Sequence, residues 1–408
     1  MGVEEMNACG LIVEYNPFHN GHVYHLEEAK KTTAADCVVA VMSGSFLQRG
    51  EPAIIDKFHR TKAALNTGID VVLELPYVYA VQHSDIFAAG AVKTLYEFGV
   101  NSVCFGSESG SINSFLSSYH TFKAKSSIFN HTLKYYLDAG NSFPEASTYA
   151  YKEIGLTDSS MDLSKPNNIL GYSYVKAIME NKLPIEPLTI KRKANAFHDE
   201  NITGTIASAT SIRKELMKQH TLTSKITDSL PGETVNQLQQ YVLTASHWHD
   251  WEKYFPLLHY RVMTMSKEEL ATIQGVDEGI ENRIKATAKI ASSFQNWVEA
   301  IKTKRYTWTR IQRMFVHILT NTKKTEIEMI SQDSSVPYVR VIGLTNNGRN
   351  YLNQQKKQMN VPIVSSIGRN QHNILSIEEK VSNTYYSILP PKSRQKLFKQ
   401  ELQAPIIL

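Results

Sequence analysis

The sequence predicts an α/β fold, a doubly wound parallel sheet followed by a mainly helical C-terminal region that carries a small β-α-β unit. Three observations lead there. Apolar runs alternate with helical patterns through the first half of the 408-residue chain. The first apolar run ends in a short turn holding two histidines and a glycine. Beyond Pro231 the alternation gives way to helical, tryptophan-bearing sequence, until short apolar runs return near residue 338.

Residues 8–13, 37–42, 71–75 and 102–105 are continuous apolar runs, as strands buried on both faces require. Helical patterns at 23–33, 56–67 and 84–98 separate them, so right-handed crossovers are expected. In such sheets ligands sit at the carboxyl ends of the strands. That places 16–22, 43–48, Pro76 and 106–108 around one crevice. Cys9, Cys37 and Cys104 lie inside apolar runs without metal spacing and read as buried thiols. Residues 111–154 are helical with polar faces. Lys165-Pro166-Asn167-Asn168 breaks that pattern, and the two asparagines suit caps for a helix beginning near Ile169. A fifth strand is expected at 187–190, ending in Lys191-Arg192-Lys193. Pro231 marks a boundary between a nucleotide-binding unit, 6–230, and a mainly helical unit, 231–408. Trp248, Trp251, Trp297 and Trp308 of the second unit are expected in its core. Residues 338–344, 347–359 and 361–366 make up the β-α-β unit.

Composition narrows the class. A hydrophobic content of 42% with 20% charged residues describes a globular protein, not a disordered one. The net charge of +5 permits a polyanionic partner without demanding one. No apolar run has the length of a membrane span. Met1-Gly2-Val3-Glu4-Glu5 lacks the basic and apolar regions of a signal peptide, so a cytoplasmic protein is expected. Met6 is a second candidate start, with the preceding residues an extension. No membrane association and no protein partner are indicated.

The turn His19-Asn20-Gly21-His22 carries the chemistry. A helix start presents unpaired N–H groups and the positive end of the helix dipole, which suit phosphate. Gly21 has no Cβ, so a base or phosphate can lie against the backbone. His19 and His22 are three apart, and at a turn-to-helix junction both rings can face one ligand. Imidazole N–H groups can donate to phosphate oxygens as charge builds on them. The plainer readings are polar surface residues or a metal pair, but no carboxylate or cysteine completes a ligand set.

His19-Asn20-Gly21-His22 resembles the HxGH signature of the nucleotidyltransferase superfamily, which is related to the catalytic domain of class I aminoacyl-tRNA synthetases. The longer string Glu14-Tyr15-Asn16-Pro17-Phe18-His19-Asn20-Gly21-His22, with Met42-Ser43-Gly44 and Gln48-Arg49-Gly50-Glu51-Pro52, resembles the bacterial tRNA(Met) cytidine acetate ligase family. The resemblance runs through almost the whole chain. It implies a sheet of the HIGH nucleotidyltransferase class and ATP along Ile12-Val13-Glu14-Tyr15-Asn16-Pro17-Phe18-His19-Asn20-Gly21-His22-Val23-Tyr24-His25. It also favours Gly106 beside the nucleotide and implies ATP contacts for Asn167 and Arg192. Ala207-Ser208-Ala209-Thr210-Ser211-Ile212-Arg213 looks like the superfamily's second signature, in which Ser208, Thr210 and Arg213 hold the triphosphate. By default, hydroxyls that open a helix are N-caps. Two signatures about 190 residues apart, in the expected order, are stronger than either alone.

Lys302-Thr303-Lys304-Arg305-Tyr306-Thr307-Trp308-Thr309-Arg310-Ile311-Gln312-Arg313 has no acidic residue, and none follows until Glu326. Lys302, Lys304, Arg305, Arg310 and Arg313 are candidates for RNA phosphates, with aromatic rings available to unpaired bases. The alternative is an amphipathic helix with Trp308, Ile311 and Phe315 inward and a solvated basic face. The resemblance implies a two-step reaction. Acetate attacks the α-phosphate of ATP to give acetyl-adenylate and diphosphate. The N4 amine of the wobble cytidine of elongator tRNA(Met) then attacks the acetyl carbonyl and releases AMP. His19 and His22 would hold the α- and β-phosphates as the catalytic pair. Mg²⁺ is expected with the triphosphate, although no ligand set for it is visible. Residues 43–52, with Gly44 and Gly50, form a candidate lid that excludes water. Two rival readings stand: a small-molecule adenylyltransferase, and a non-catalytic tRNA-binding protein with a relict ATP site.

Overall fold

Strands β1 (Ala8–Val13) and β2 (Cys37–Ser43) pair in parallel from Ala8↔Cys37 to Val13↔Met42. They lie at the centre of the computed structural model, which describes residues 5–157, 161–192, 206–331, 335–368 and 375–408. Helix α1 (Asn20–Thr33) links them. Next come α2 (Lys57–Asn66), β3 (Val71–Leu75), α3 (Tyr77–Ala80), α4 (Ser84–Glu97) and β4 (Ser102–Ser107). Helices α5 (Ile112–Ala124), α6 (Ser126–Asp138), α7 (Phe143–Glu153) and α8 (Pro166–Glu180) precede β5 (Glu186–Lys191). The strand order β5-β4-β1-β2-β3 reverses direction at β1, so the switch-point crevice opens between the ends of β1 and β4. β2 shows why an unbroken apolar run is needed. Cys37, Val39 and Val41 pack on one face of the sheet, and Val38, Ala40 and Met42 on the other.

The second half begins with α9 (Ala209–Gln219), α10 (Ser224–Thr227) and α11 (Gly232–Ala245). Five helices then build a bundle: α12 (Trp251–Thr264), α13 (Lys267–Ala271), α14 (Ile280–Ala288), α15 (Phe294–Ile301) and α16 (Trp308–Thr320). Tryptophans form its core as expected. Trp251 stacks on Phe294 at 4.5 Å, and the fully buried Trp297 lies 4.8 Å from Phe315. Trp308 is only partly buried, at the start of α16.

After α17 (Lys324–Ser331) the chain returns to the sheet. β6 (Val339–Leu344), α18 (Asn346–Gln355) and β7 (Ile363–Val364) form the expected β-α-β unit, with β6 and β7 parallel. This unit extends the main sheet, because β6 pairs antiparallel with β3 from Val71↔Leu344 to Glu74↔Arg340. α19 (Leu375–Tyr386) and α20 (Pro391–Phe398) follow, and β8 (Ile406–Ile407) pairs with β6. The sheet is therefore mixed, with eight strands among the described residues. It also crosses the division expected at 230/231. The reason is physical: β3 is buried along its whole length and would otherwise be a bare apolar edge. Among the described residues no helix is long and apolar enough to cross a membrane.

Candidate active site

Helix α1 starts at Asn20, three residues earlier than its apolar pattern suggests, because His19 is its N-cap. The Nδ1 of His19 accepts the Gly21 N–H at 3.1 Å, and the Nδ1 of His22 accepts the His19 N–H at 3.2 Å. This is a capping box built from two imidazoles. The rings stack at 3.8 Å, 27° from parallel. With each Nδ1 an acceptor, the proton of each neutral ring sits on Nε2. Burial, followed by the Arg192 and Arg213 charges, pushes His19 down to about 3. Burial and the His19, His25 and Arg192 charges hold His22 well below the usual histidine range. Burial and Arg192 likewise push His25 down to about 4. At neutral pH the turn thus offers neutral N–H donors.

The His19 ring occupies the space above Gly21 that the sequence left open for a ligand. A Cβ there would lie 2.9 Å from the His19 Cε1. Tyr15 and Phe18, both buried, brace the pair. Their rings are 4.4 Å apart, and Phe18 lies 5.6 Å from His22. The Asn16–Pro17 peptide is cis. Asn16 joins three segments: its Oδ1 accepts the Ile54 N–H at 2.7 Å, and its carbonyl accepts the Arg213 guanidinium at 2.8 Å. The Asn20 side chain donates to the Asp228 carbonyl, tying α1 to the end of α10. Ile12 and Val13 end β1, and Val23 and Tyr24 are half-buried on α1.

Gly106 and Arg192 meet at the ends of β4 and β5. A Cβ on Gly106 would sit 3.3 Å from the Arg192 Cγ, and the Arg192 N–H donates to the Ser107 carbonyl. Lys193 lies outside the described residues. Asn167 and Asn168 do not cap α8. The N-cap is Lys165, without a side-chain bond, and the asparagines lie inside the first turn. They grip the loop after β4 instead: Asn167 Nδ2 donates to Glu108 Oε1 at 2.7 Å, and Asn168 Oδ1 accepts the Glu108 and Ser109 N–H groups. Pro166 at the first helical position, where it is favoured, moves the start upstream.

The second signature opens α9 over the first. Ile206 Cγ2 would lie 3.7 Å from a Cβ on Gly21. Ser208 is the N-cap and accepts the Ser211 N–H at 3.0 Å, while Thr210 is exposed. Arg213 reaches back to the Asn16 carbonyl and pairs with Glu51 at 2.9 Å.

Loop 43–52 is not an open flap. It closes on itself through the Phe46↔Pro52 bridge, and Gly50 accepts the Trp251 Nε1–H at 2.9 Å. The Gln48 N–H donates to Glu14 Oε1 at 2.8 Å. Burial raises the Glu14 carboxyl above its ordinary range. Sequence reasoning missed Arg60, which is fully buried and donates to the carbonyls of Glu14, Ser43, Gly44 and Ile55. It fixes the ends of β1 and β2 together. Nothing local marks it, because Lys57-Phe58-His59-Arg60 reads as an ordinary polar helix start.

The basic segment divides. Lys302, Lys304 and Arg305 are exposed ahead of α16, and Arg305 reaches Glu278 at 3.5 Å and the Leu137 carbonyl at 3.2 Å. Arg310 stacks 4.1 Å over the Tyr306 ring. Ile311 and Phe315 are buried, and Arg313 is half-buried against loop 43–52.

Known proteins share this architecture. Residues 6–401 match the family described as HIGH Nucleotidyl Transferase. The tRNA(Met) cytidine acetate ligase of Oceanobacillus iheyensis is 58% identical over 403 residues, covering 99% of this chain and 100% of that protein. The protein of the same description from Bacillus subtilis is 44% identical over 405 residues, covering 98% and 97%. The crystal structure of apo Thermotoga maritima TmcAL superposes with a TM-score of 0.89 at 32% identity, covering 99% of this chain and 100% of that one. The same protein bound with alpha-thio ATP superposes with a TM-score of 0.87 at 32% identity, with the same coverage.

Proposed function

The chain belongs to the HIGH nucleotidyl transferase family, and from that premise we propose that it is an ATP-dependent ligase that acetylates the wobble cytidine of elongator tRNA(Met). The observation that carries the reading is the paired imidazole turn at the switch point of the sheet. It supplies donors where an adenylating enzyme needs them, in a chain similar over its full length to named cytidine acetate ligases. ATP is the nucleotide, in keeping with the alpha-thio ATP held by the Thermotoga maritima neighbour.

In the first step an acetate oxygen attacks the α-phosphorus, and the bond to the β-phosphate oxygen breaks. Charge grows on the phosphate oxygens, and donors preorganised in a dry site stabilise it most. The Nε2–H groups of His19 and His22 serve the α- and β-phosphates. Because both rings are already neutral and fixed by backbone bonds, no proton has to move to ready them. Ser208, Thr210 and Arg213 serve the β- and γ-phosphates. Gly106, Asn167 and Arg192 contact the nucleotide. Mg²⁺ would accompany the triphosphate and offset its charge. The imidazole, hydroxyl and guanidinium groups of the site suit phosphate oxygens, and among the described residues no cluster of His, Cys, Asp and Glu side chains could hold a metal, so the cation would be held through the phosphates.

In the second step the cytidine N4 attacks the acetyl carbonyl, AMP leaves with the electron pair, and the nitrogen loses a proton. An activated acyl donor is needed because the N4 lone pair is delocalised into the ring. A cytoplasmic location goes with a tRNA substrate. The test feeds labelled acetate with ATP and elongator tRNA(Met), without acetyl-CoA, then digests the RNA and identifies the labelled nucleoside by mass. Label in N4-acetylcytidine is the expected result. Label in a small metabolite, or tight tRNA binding with neither AMP nor label transfer, would sink the proposal.

A further inference from the structure

Several guanidinium groups of the chain have their donors matched. Arg213 meets Glu51, Arg305 meets Glu278, and the buried Arg60 directs its donors to four carbonyls. Arg313 is different. It is half-buried on the face of α16 that meets loop 43–52, and its hydrogen bond is a long one, Nη1 to the Gln48 carbonyl at 3.5 Å. Among the described residues no carboxylate lies within ion-pair distance of it. Its charged neighbours are Arg310, one turn earlier on α16, and Arg49 of the loop, whose own charge also acts on the Glu14 carboxyl. Burial and these two like charges push Arg313 down to about 10.

The position is fixed from both sides. A side chain on Gly50, which has φ +77°, would collide with the backbone at Gln312 and Arg313, so loop and helix are in direct contact. Arg310 is held by the Tyr306 ring at 4.1 Å and by the Arg305 carbonyl at 3.2 Å. A guanidinium does not deprotonate at physiological pH, so a crowd of them is relieved by an anion. A planar fork favours the paired oxygens of a phosphate or carboxylate.

We propose that Arg313, with Arg310 and Arg49 beside it, clamps the RNA phosphate next to the cytidine being acetylated. The proposal rests on the reading of this site as a tRNA-acetylating centre. Its geometry follows from Gln48. The N–H of that residue holds Glu14 at the end of β1, and its carbonyl meets Arg313. One residue therefore links the strand that feeds the histidine turn to the cluster at the rim. A base inserted into the crevice leaves its backbone outside, and the adjoining phosphate falls at that rim. Acetate must instead lie against the α-phosphate, deeper in the crevice beside His19 and His22.

The test uses the full-length protein and an anticodon stem-loop RNA of the substrate tRNA. Arg313→Gln, Arg313→Lys and Arg310→Gln are compared with wild type, and thermal unfolding midpoints show that each is folded. Arg313→Gln is expected to raise the KM for RNA about tenfold or more, as removal of one charge-assisted hydrogen bond should. It is also expected to flatten the salt dependence of RNA affinity by a slope of roughly 0.7 to 0.9. Arg313→Lys keeps the charge and so keeps the slope, while losing affinity with the fork. If Arg313→Gln does not fold, Arg310→Gln carries the same expectation. Unchanged KM and slope in the Gln variants would mean that Arg313 only fastens the loop, and the proposal would be overturned. A raised KM for acetate in ATP–pyrophosphate exchange, with RNA affinity and slope intact, would assign the anion as acetate and overturn it equally. RNA binding that depends on Arg313 in a protein that makes no acetylcytidine would keep the clamp and remove the reading it rests on.

Discussion

Arg340 on β6 and Glu74 on β3 are registered partners across the antiparallel seam, guanidinium to carboxylate at 2.7 Å. Both are buried. Lys57 bonds Glu74 at 2.6 Å and Glu401 at 2.9 Å, and Arg340 closes the ring to Glu401 at 2.7 Å. Within the ring two cations face two anions, and the buried Glu378 carboxyl lies close enough to feel Glu74 and Lys57. Burial works against the Arg340 charge, but Glu74 and Glu401 outweigh it and hold its pKa above the ordinary value. The ring joins α2, β3, β6 and the turn after α20. The C-terminal strands are thus bound to the nucleotide sheet by charge as well as by backbone.

Removing one member should be far costlier than any surface ion pair. Arg340→Ala leaves two buried carboxylates facing one lysine. A loss of about 3–5 kcal/mol in unfolding free energy is expected. Denaturant midpoints with an unchanged slope on denaturant would measure it. A loss under about 1 kcal/mol, the range of exposed pairs, would show that water reaches the ring.

That ring also shows where sequence reading stops. Glu74 sits in Val71-Val72-Leu73-Glu74-Leu75, which is legible as a strand but gives no sign of its partner. Arg340 lies 266 residues away, and the pairing is a property of the closed sheet. Strand existence was readable because two-sided burial leaves unbroken apolar runs. The histidine turn was readable because two imidazoles and a glycine are unusual at a strand–helix junction, whereas the second signature stood out only by its resemblance, its hydroxyls being ordinary helix openers. In sequence, two glycines in the long stretch 43–52 between elements suggest a lid. Gly50 is instead a site of close backbone approach to α16, which only the tertiary structure reveals. Asn167 and Asn168 looked like caps because asparagine often is one, yet their amides hold the loop after β4.

His22→Ala should leave a folded protein with little acetyl-adenylate formation. The substitution removes one N–H donor to developing charge and also opens the capping box at the His19 N–H. Loss of a preorganised donor costs on the order of 100-fold in rate. Pyrophosphate release from ATP and acetate, measured without RNA, is the readout, and a near-normal rate would defeat the assignment.

The two imidazoles should not titrate where histidines usually do. His19 has its folded pKa near 3, below the ordinary value of 6.5, so folding favours the neutral ring. The stability this contributes is present above about pH 6.5. It is lost progressively as pH falls from there toward the folded value, because the unfolded chain takes up the proton first. His22 shifts in the same direction. The ring carbon protons, followed by NMR from pH 8 to pH 5, should hold constant shifts while unfolding midpoints decline below pH 6.5. A titration of either ring centred near 6.5 would contradict the neutral-donor reading.

The exposed lysines ahead of α16 give the last prediction. Lys302 and Lys304 are solvent-exposed, whereas Arg305 is partly engaged by Glu278 and the Leu137 carbonyl. The cations in this stretch therefore differ in what they offer an RNA. Exposed lysines can neutralise phosphates at little structural cost, and each phosphate neutralised releases counterions. Lys302→Ala with Lys304→Ala should lower the slope of log affinity against log salt by roughly 0.7 to 0.9 for each phosphate no longer neutralised. Affinity should fall for all RNA sequences alike, because phosphate binding carries no sequence information. Arg305→Ala should change the slope less, and should loosen the junction between the end of α6 and the loop before α14. Filter binding of tRNA from low to moderate salt would separate the two effects. If the lysine pair leaves the slope untouched while Arg305→Ala flattens it, the phosphates are bound through Arg305, and the lysines are a solvated face.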